Sequence, residues 1–249
     1  MLSSFRSLQT ASLNDIGWGY PLNDSPDTVF QYDIPLSLQK LSLWRCYKRD
    51  VMECLLSQDP LPIISELDLG VVSPSDTEAI GKYLGRLGNN LTSLSLGFSS
   101  LDAGGDAEDF YLNCDLSLNA QLESIHFDRF LYFSEYRLTS PWLWISKIIS
   151  SMCSTVLTTI CFSIYLPHDQ LFESHFEFCW SEMDQFFDQG LVMLPRFQHI
   201  QFRICFQSNP ELDILPLVFS TIKRELPLCD KHGFLRFVVK GSSEWWEEC

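Results

Sequence analysis

The chain has 249 residues, of which 46% are apolar, 14% aromatic and 20% charged. That is enough apolar mass to bury a core, which excludes intrinsic disorder, collagen and a plain coiled coil. Seventeen Lys and Arg against 32 Asp and Glu give a net charge of −15, the wrong sign for neutralising phosphates, so neither nucleic acid nor an anionic membrane is an expected partner.

Seven copies of the pattern apolar-x-x-apolar-x-apolar run in order along the chain. They are Leu8-Ala11-Leu13, Leu38-Leu41-Leu43, Ile64-Leu67-Leu69, Leu91-Leu94-Leu96, Leu122-Ile125-Phe127, Leu157-Ile160-Phe162 and Phe197-Ile200-Phe202, and an eighth, weaker copy is His232-Leu235-Phe237. Two apolar residues separated by one other face the same way on a strand, so each copy predicts one short strand. Successive first positions differ by 30, 26, 27, 31, 35, 40 and 35, irregular but approaching the period of leucine-rich repeats at the short end. Three residues after the last apolar position, where such repeats often place Asn or Cys for the turn, Cys46 and Cys205 fit the cysteine form.

The intervening segments alternate helix and loop signals. The stretch 14–35, rich in Gly, Pro, Asn and Asp, predicts a long loop. Asp50 is an N-cap candidate for a helix over 51–57. Ser75-Asp76-Thr77-Glu78 has the capping-box pattern for a helix through Ile80, Leu84 and Leu87, which Gly88 and Asn89 would end. The stretch 99–119, with Gly104-Gly105 among acids, predicts a second long loop. Ser140-Pro141 predicts a helix start ahead of Trp142, and apolar spacing predicts helices near 173–187 and 215–226, with Pro216 in a first turn. Strand and helix in alternation predict an α/β leucine-rich-repeat solenoid, a curved parallel sheet with helices or irregular segments on its convex side, as one domain over 1–249. A doubly wound α/β domain also alternates strand and helix, but it brings near-continuous Val/Ile strands and a glycine-rich ligand turn, and neither occurs here.

The copies 38–46, 64–69 and 91–96, continuing into aromatic-rich versions, resemble the irregular leucine-rich-repeat region of fungal F-box-type proteins. The resemblance implies a repeat arc that holds a protein partner or ubiquitination substrate, with an F-box docking on a cullin-ligase adaptor. No F-box opening precedes Leu8, so the chain is expected to be either a truncated product or a derivative without adaptor docking.

The strand residues that alternate with the apolar ones would line the concave, binding face of such an array. From that row Trp44, Asp68, His126, Asp128, Arg203 and Arg236 are the candidate partner contacts, being aromatic, Arg or charged anchors among small residues. The acidic tail 242–249, with Trp245-Trp246, is read as a cap on the last repeat, or else as a docking tail.

Chemical sites are sparse. His168-Asp169 with His175 and Cys179 is a weak candidate metal set, and paired acids such as Glu108-Asp109 and Glu247-Glu248 suit a solvated surface. Nucleophile elbow, P-loop and dinucleotide fingerprint are all missing from the sequence, so no cofactor and no catalysis are expected. Nine scattered cysteines without a Cys-x-x-Cys pair, no signal peptide and no membrane-spanning run predict reduced thiols in cytoplasm or nucleus. The expected role is therefore a non-enzymatic protein-interaction module: the substrate-recognition part of an F-box-like receptor, or a free-standing scaffold or inhibitor. A small α/β enzyme is the remaining alternative.

Overall fold

Residues such as Leu41 and Leu43, or Ile160 and Phe162, must leave water together, and a strand allows this by turning both to one side. In a computed structural model of the protein, which describes residues 7–15, 34–98, 102–131, 141–166, 180–190, 194–206 and 214–240, every copy of the pattern is such a strand. They are β1 (Thr10–Asn14), β2 (Lys40–Trp44), β3 (Glu66–Val72), β4 (Ser93–Phe98), β5 (Ser124–Leu131), β6 (Thr159–Leu166), β7 (His199–Phe206) and β8 (Leu235–Lys240). The eight form one parallel sheet in the order of the sequence, β1 to β8, without a reversal. Register follows the repeat: Leu41 pairs with Leu67, Leu67 with Leu94, Leu94 with Ile125, Ile125 with Ile160, Ile160 with Ile200 and Ile200 with Leu235.

A second ladder locks each copy to the next just before the strand. One carbonyl per repeat accepts two successive N–H groups from the following repeat: Gln9 O from Gln39 and Lys40, Gln39 O from Ser65 and Glu66, Ser65 O from Thr92 and Ser93. Thr92 O, Glu123 O and Thr158 O continue the series. The hydroxyls of Ser65, Thr92 and Thr158 donate to the same row of carbonyls. Irregular repeat lengths are thus absorbed between strands while the strand entry keeps one geometry.

Among the described residues seven helices lie between the strands: α1 (Lys48–Leu56), α2 (Pro74–Leu87), α3 (Ala103–Asn113), α4 (Trp142–Ser151), α5 (Trp180–Gly190), α6 (Ile214–Glu225) and α7 (Pro227–Lys231). Their apolar residues join the inward strand residues in one hydrophobic core. The filling changes along the chain. Leucines occupy the last apolar position up to β4, and from β5 onward Phe127, Phe162, Phe202 and Phe237 stack with ring centroids 5.6, 5.5 and 6.0 Å apart. Trp142 and Trp180 close over this stack from α4 and α5, 4.9 Å from each other.

Several expected boundaries move. The stretch 99–119 is not a long loop throughout: Asp102 accepts from the backbone of Gly105 and caps α3, and a 3-10 turn follows at Leu116–Leu118. Asp50 lies inside the first turn of α1 rather than at its cap. The cap of α2 is Ser73, with Pro74 at the first helical position, because the Asp76 carboxylate accepts from both the N–H and the hydroxyl of Ser73. Gly88 ends α2 with φ of +52°, as expected. Cys205 is a strand residue and not a turn residue, because β7 runs on to Phe206. Residues 16–33, 173–179 and the tail 242–249 lie outside the described residues, as does the expected cap Ser140.

Candidate functional site

The outward face of the sheet carries the alternate residues, and it is polar: Lys40, Ser42 and Trp44; Glu66, Asp68 and Gly70; Ser93, Ser95 and Gly97; Ser124, His126 and Asp128; Thr159, Cys161 and Ser163; His199, Gln201 and Arg203; Arg236 and Val238. Parallel register brings equivalent positions side by side, so short polar groups satisfy each other across strands. Lys40 pairs with Glu66 at 2.7 Å, Ser42 donates to Asp68 at 3.1 Å, and Ser124 donates to Ser93 at 2.9 Å. Tyr165 donates to Asp128 at 3.2 Å and the Gln201 amide reaches Cys161 Sγ at 3.7 Å.

His126 sits in the middle of this network. Its Nδ1 is 3.2 Å from Ser95 Oγ, its Nε2 is 2.8 Å from Ser163 Oγ, and Asp128 Oδ1 stands 3.8 Å from Nε2. Burial pushes the imidazole pKa down, outweighing the upward pull of Asp128, so the neutral ring is favoured. Ser, His and Asp in proximity are the parts of an acyl-transfer centre, but the arrangement differs from one. Asp128 lies beside the nitrogen that faces Ser163 and does not hold the opposite one, and Ser163 is only 3% exposed, so no carbonyl carbon can approach to the ~3–3.5 Å an attack requires. The geometry serves to fix the face, not to attack a substrate.

The six anchors named from sequence fall into three situations. Asp68, His126 and Asp128 are held by neighbours within the face, and Asp128 is buried. Trp44 lies 5.3 Å from the guanidinium of Arg129 in a cation–π contact that spans from β2 to β5. Arg203 and Arg236, at the β7–β8 end, make no ion pair among the described residues.

Arg129 escapes the alternation rule. Strict alternation turns Ser124, His126 and Asp128 outward and Arg129 inward. A bulge lets Asp128 and Arg129 together oppose Ser163, since Phe127 pairs with Phe162 and Phe130 with Ile164. Arg129 takes φ of +61°, which re-aims its side chain across the outward face. A matching bulge interrupts β3 between Asp68 and Val71, with Gly70 at φ of +56°. No feature of the sequence marks Arg129 as the equivalent of Gly70, since glycine is the residue that normally signals such a position.

Among the described residues no group of three or more metal-ligating side chains converges, and the set His168, Asp169, His175 and Cys179 lies outside them. No helix among the described residues is long and apolar enough to cross a membrane. Compared with family models, with curated proteins and with solved structures, the chain matches none.

Proposed function

We propose that the protein is a leucine-rich-repeat solenoid that acts as a non-enzymatic protein-binding module, with the outward face of β1 to β8 as its binding surface. The observation that carries the reading is that face itself: a continuous row of polar side chains across eight sequence-ordered parallel strands, while the core lies on the opposite side. A doubly wound sheet needs apolar residues on both faces because helices cover both, whereas Ser, Asp, His and Arg occupy the outward positions here. Sequential strand order also offers no reversal point at which a doubly wound enzyme would place its ligand crevice. Pre-organised polar groups suit recognition of an extended polypeptide, since little side-chain entropy remains to be lost on binding.

Within this reading, Arg203 and Arg236, without an ion pair among the described residues, orient a partner, and Trp44 with Arg129 forms the opposite anchor. The chain is then the substrate-recognition part of an F-box-like ubiquitin ligase, or a free-standing scaffold. Affinity purification from native cells, with the cullin-ligase adaptor quantified beside every other protein, separates the two. Stoichiometric adaptor supports the receptor role, and a reproducible partner without adaptor supports the scaffold. In both cases Arg203→Ala with Arg236→Ala should weaken capture at least tenfold. A chain that captures nothing stoichiometrically, or whose partner ignores the double substitution, argues against the proposed face.

A further inference from the structure

Two side chains at the C-terminal ends of the strands carry positive charge into poorly hydrated surroundings. Lys48, at the start of α1, is only 4% exposed, and it forms no hydrogen bond or ion pair among the described residues. Arg129 Nε is buried and likewise without a hydrogen-bond partner among the described residues. The two cations are close enough to influence each other, with Asp76 and Asp68 also within electrostatic reach of Lys48.

Those two carboxylates balance the charge but not the hydrogen bonding. Asp68 accepts from Ser42 Oγ through Oδ2 and from Gly70 N through Oδ1. Asp76 accepts from Arg49 N through Oδ1 and from Ser73 N and Oγ through Oδ2. Neutral donors engage all four oxygens, and no hydrogen bond joins either cation to them among the described residues. A buried donor in that condition costs more than a hydrogen bond returns, which is why natural proteins rarely keep one without a purpose.

Gly70 and Gly97 let neighbouring strands close up tightly beside the cations: a Cβ at Gly70 would stand 2.8 Å from Leu43 O and about 3.5 Å from the Trp44 ring, and one at Gly97 would stand 3.0 Å from Asp128 O. Trp44 packs against Gly70 and Arg129 against Gly97, and the guanidinium stands 5.3 Å from the Trp44 ring. Arg129 holds its place through a left-handed backbone conformation that side chains other than glycine rarely adopt. Asp15 and Arg45, just past β1 and β2, also take positive φ.

We propose that Arg129 and Lys48, flanked by Trp44, form a seat for a carboxylate of a bound polypeptide. The proposal rests on the reading of the outward face as a protein-binding surface. Carboxylate is the chemistry selected because the planar guanidinium fork matches it and because charge-assisted bonds would engage the unpartnered Arg129 Nε and the buried Lys48 together.

The test uses the full chain labelled with 15N and follows the Arg129 Nε–H resonance, assigned by its loss in Arg129→Gly, a substitution the left-handed backbone accepts. The probe is an acetylated, amidated pentaglutamate, with pentaglutamine and inorganic phosphate alongside. The expected result is a saturable shift with pentaglutamate, none with pentaglutamine, and at least tenfold weaker binding in Lys48→Met. Absence of a saturable shift up to about 10 mM peptide, an equal response to pentaglutamine, a response to phosphate alone, or indifference to Lys48→Met would each overturn the seat. If Arg129→Gly captures a native partner as well as the unaltered chain does, the carboxylate seat falls and the protein-binding reading stands.

Discussion

Arg129 and Gly70 hold the same backbone conformation at matching bulges, and the difference between them is a measurable quantity. An L-residue in the left-handed region costs about 1–2 kcal/mol relative to glycine. Arg129→Gly should therefore raise unfolding stability by about 1 kcal/mol, read as a higher urea midpoint, because Cβ strain is lost while only a partly exposed cation–π contact goes with it. Gly70→Ala should do the opposite and cost about 2 kcal/mol or more, since the new methyl would meet Leu43 O at 2.8 Å. Equal effects from the two substitutions would show that the bulges are not equivalent.

His126 supplies a second test at this scale. Its pKa is lowered by burial from the ordinary 6.5, so near and below that value the unfolded chain binds the proton more readily than the folded one. Stability is then complete above about pH 6.5 and declines as the pH falls. His199 contributes with the same sign, lowered by burial and by Arg236. His126→Asn should flatten the stability profile below about pH 6.5, as measured by denaturant unfolding at each pH, and an unchanged slope would remove His126 as its source.

Among the elements, strands were legible and connections were not. The apolar pattern located all eight strands, including the weak last copy, because a period of two over buried positions leaves one orientation. Caps were displaced by two to three residues: Tyr47 rather than Asp50 precedes α1, and Ser73 rather than Ser75 begins α2, because Asp76 can reach back to the Ser73 backbone. Helix α3 was missed because Gly104-Gly105 lowers helix propensity, while the Asp102 cap and burial of Ala103, Ala107 and Phe110 overcome it. The aromatic stack gives this scale its prediction. Phe162 touches Phe127, Phe202 and Trp142 and is 1% exposed, so Phe162→Ala should cost about 3–5 kcal/mol in equilibrium unfolding. Phe237, at the end of the stack and only half-buried, should lose markedly less on the same change.

At the scale of the molecule, sequential order means that each repeat is supported only by its neighbours. Strand β1 has one partner and is largely exposed, and β8 has one partner and leaves Val238 and Val239 about two-fifths exposed. Strands β4 to β7 have neighbours on both sides and the aromatic filling behind β5 to β7. Native-state hydrogen exchange should accordingly show protection falling from the middle of the sheet towards both ends. Uniform protection across all eight strands would instead indicate a single cooperative block.

The sequence by itself determined the repeat, the inward row and the identity of most outward residues. Those follow from local periodicity and the need to bury apolar side chains, which no distant contact can reverse without exposing the core. Only the tertiary structure decided which outward residues are spent on one another and which remain available. Asp68, His126 and Asp128 are tied by residues about 26 to 37 positions away along the chain. Trp44, Gly70, Gly97 and Arg129 meet only because four strands stand side by side and two of them bulge. Hydrogen bonding and electrostatics act through space, so these groupings depend on register and bulge geometry, and no pattern along the chain encodes either.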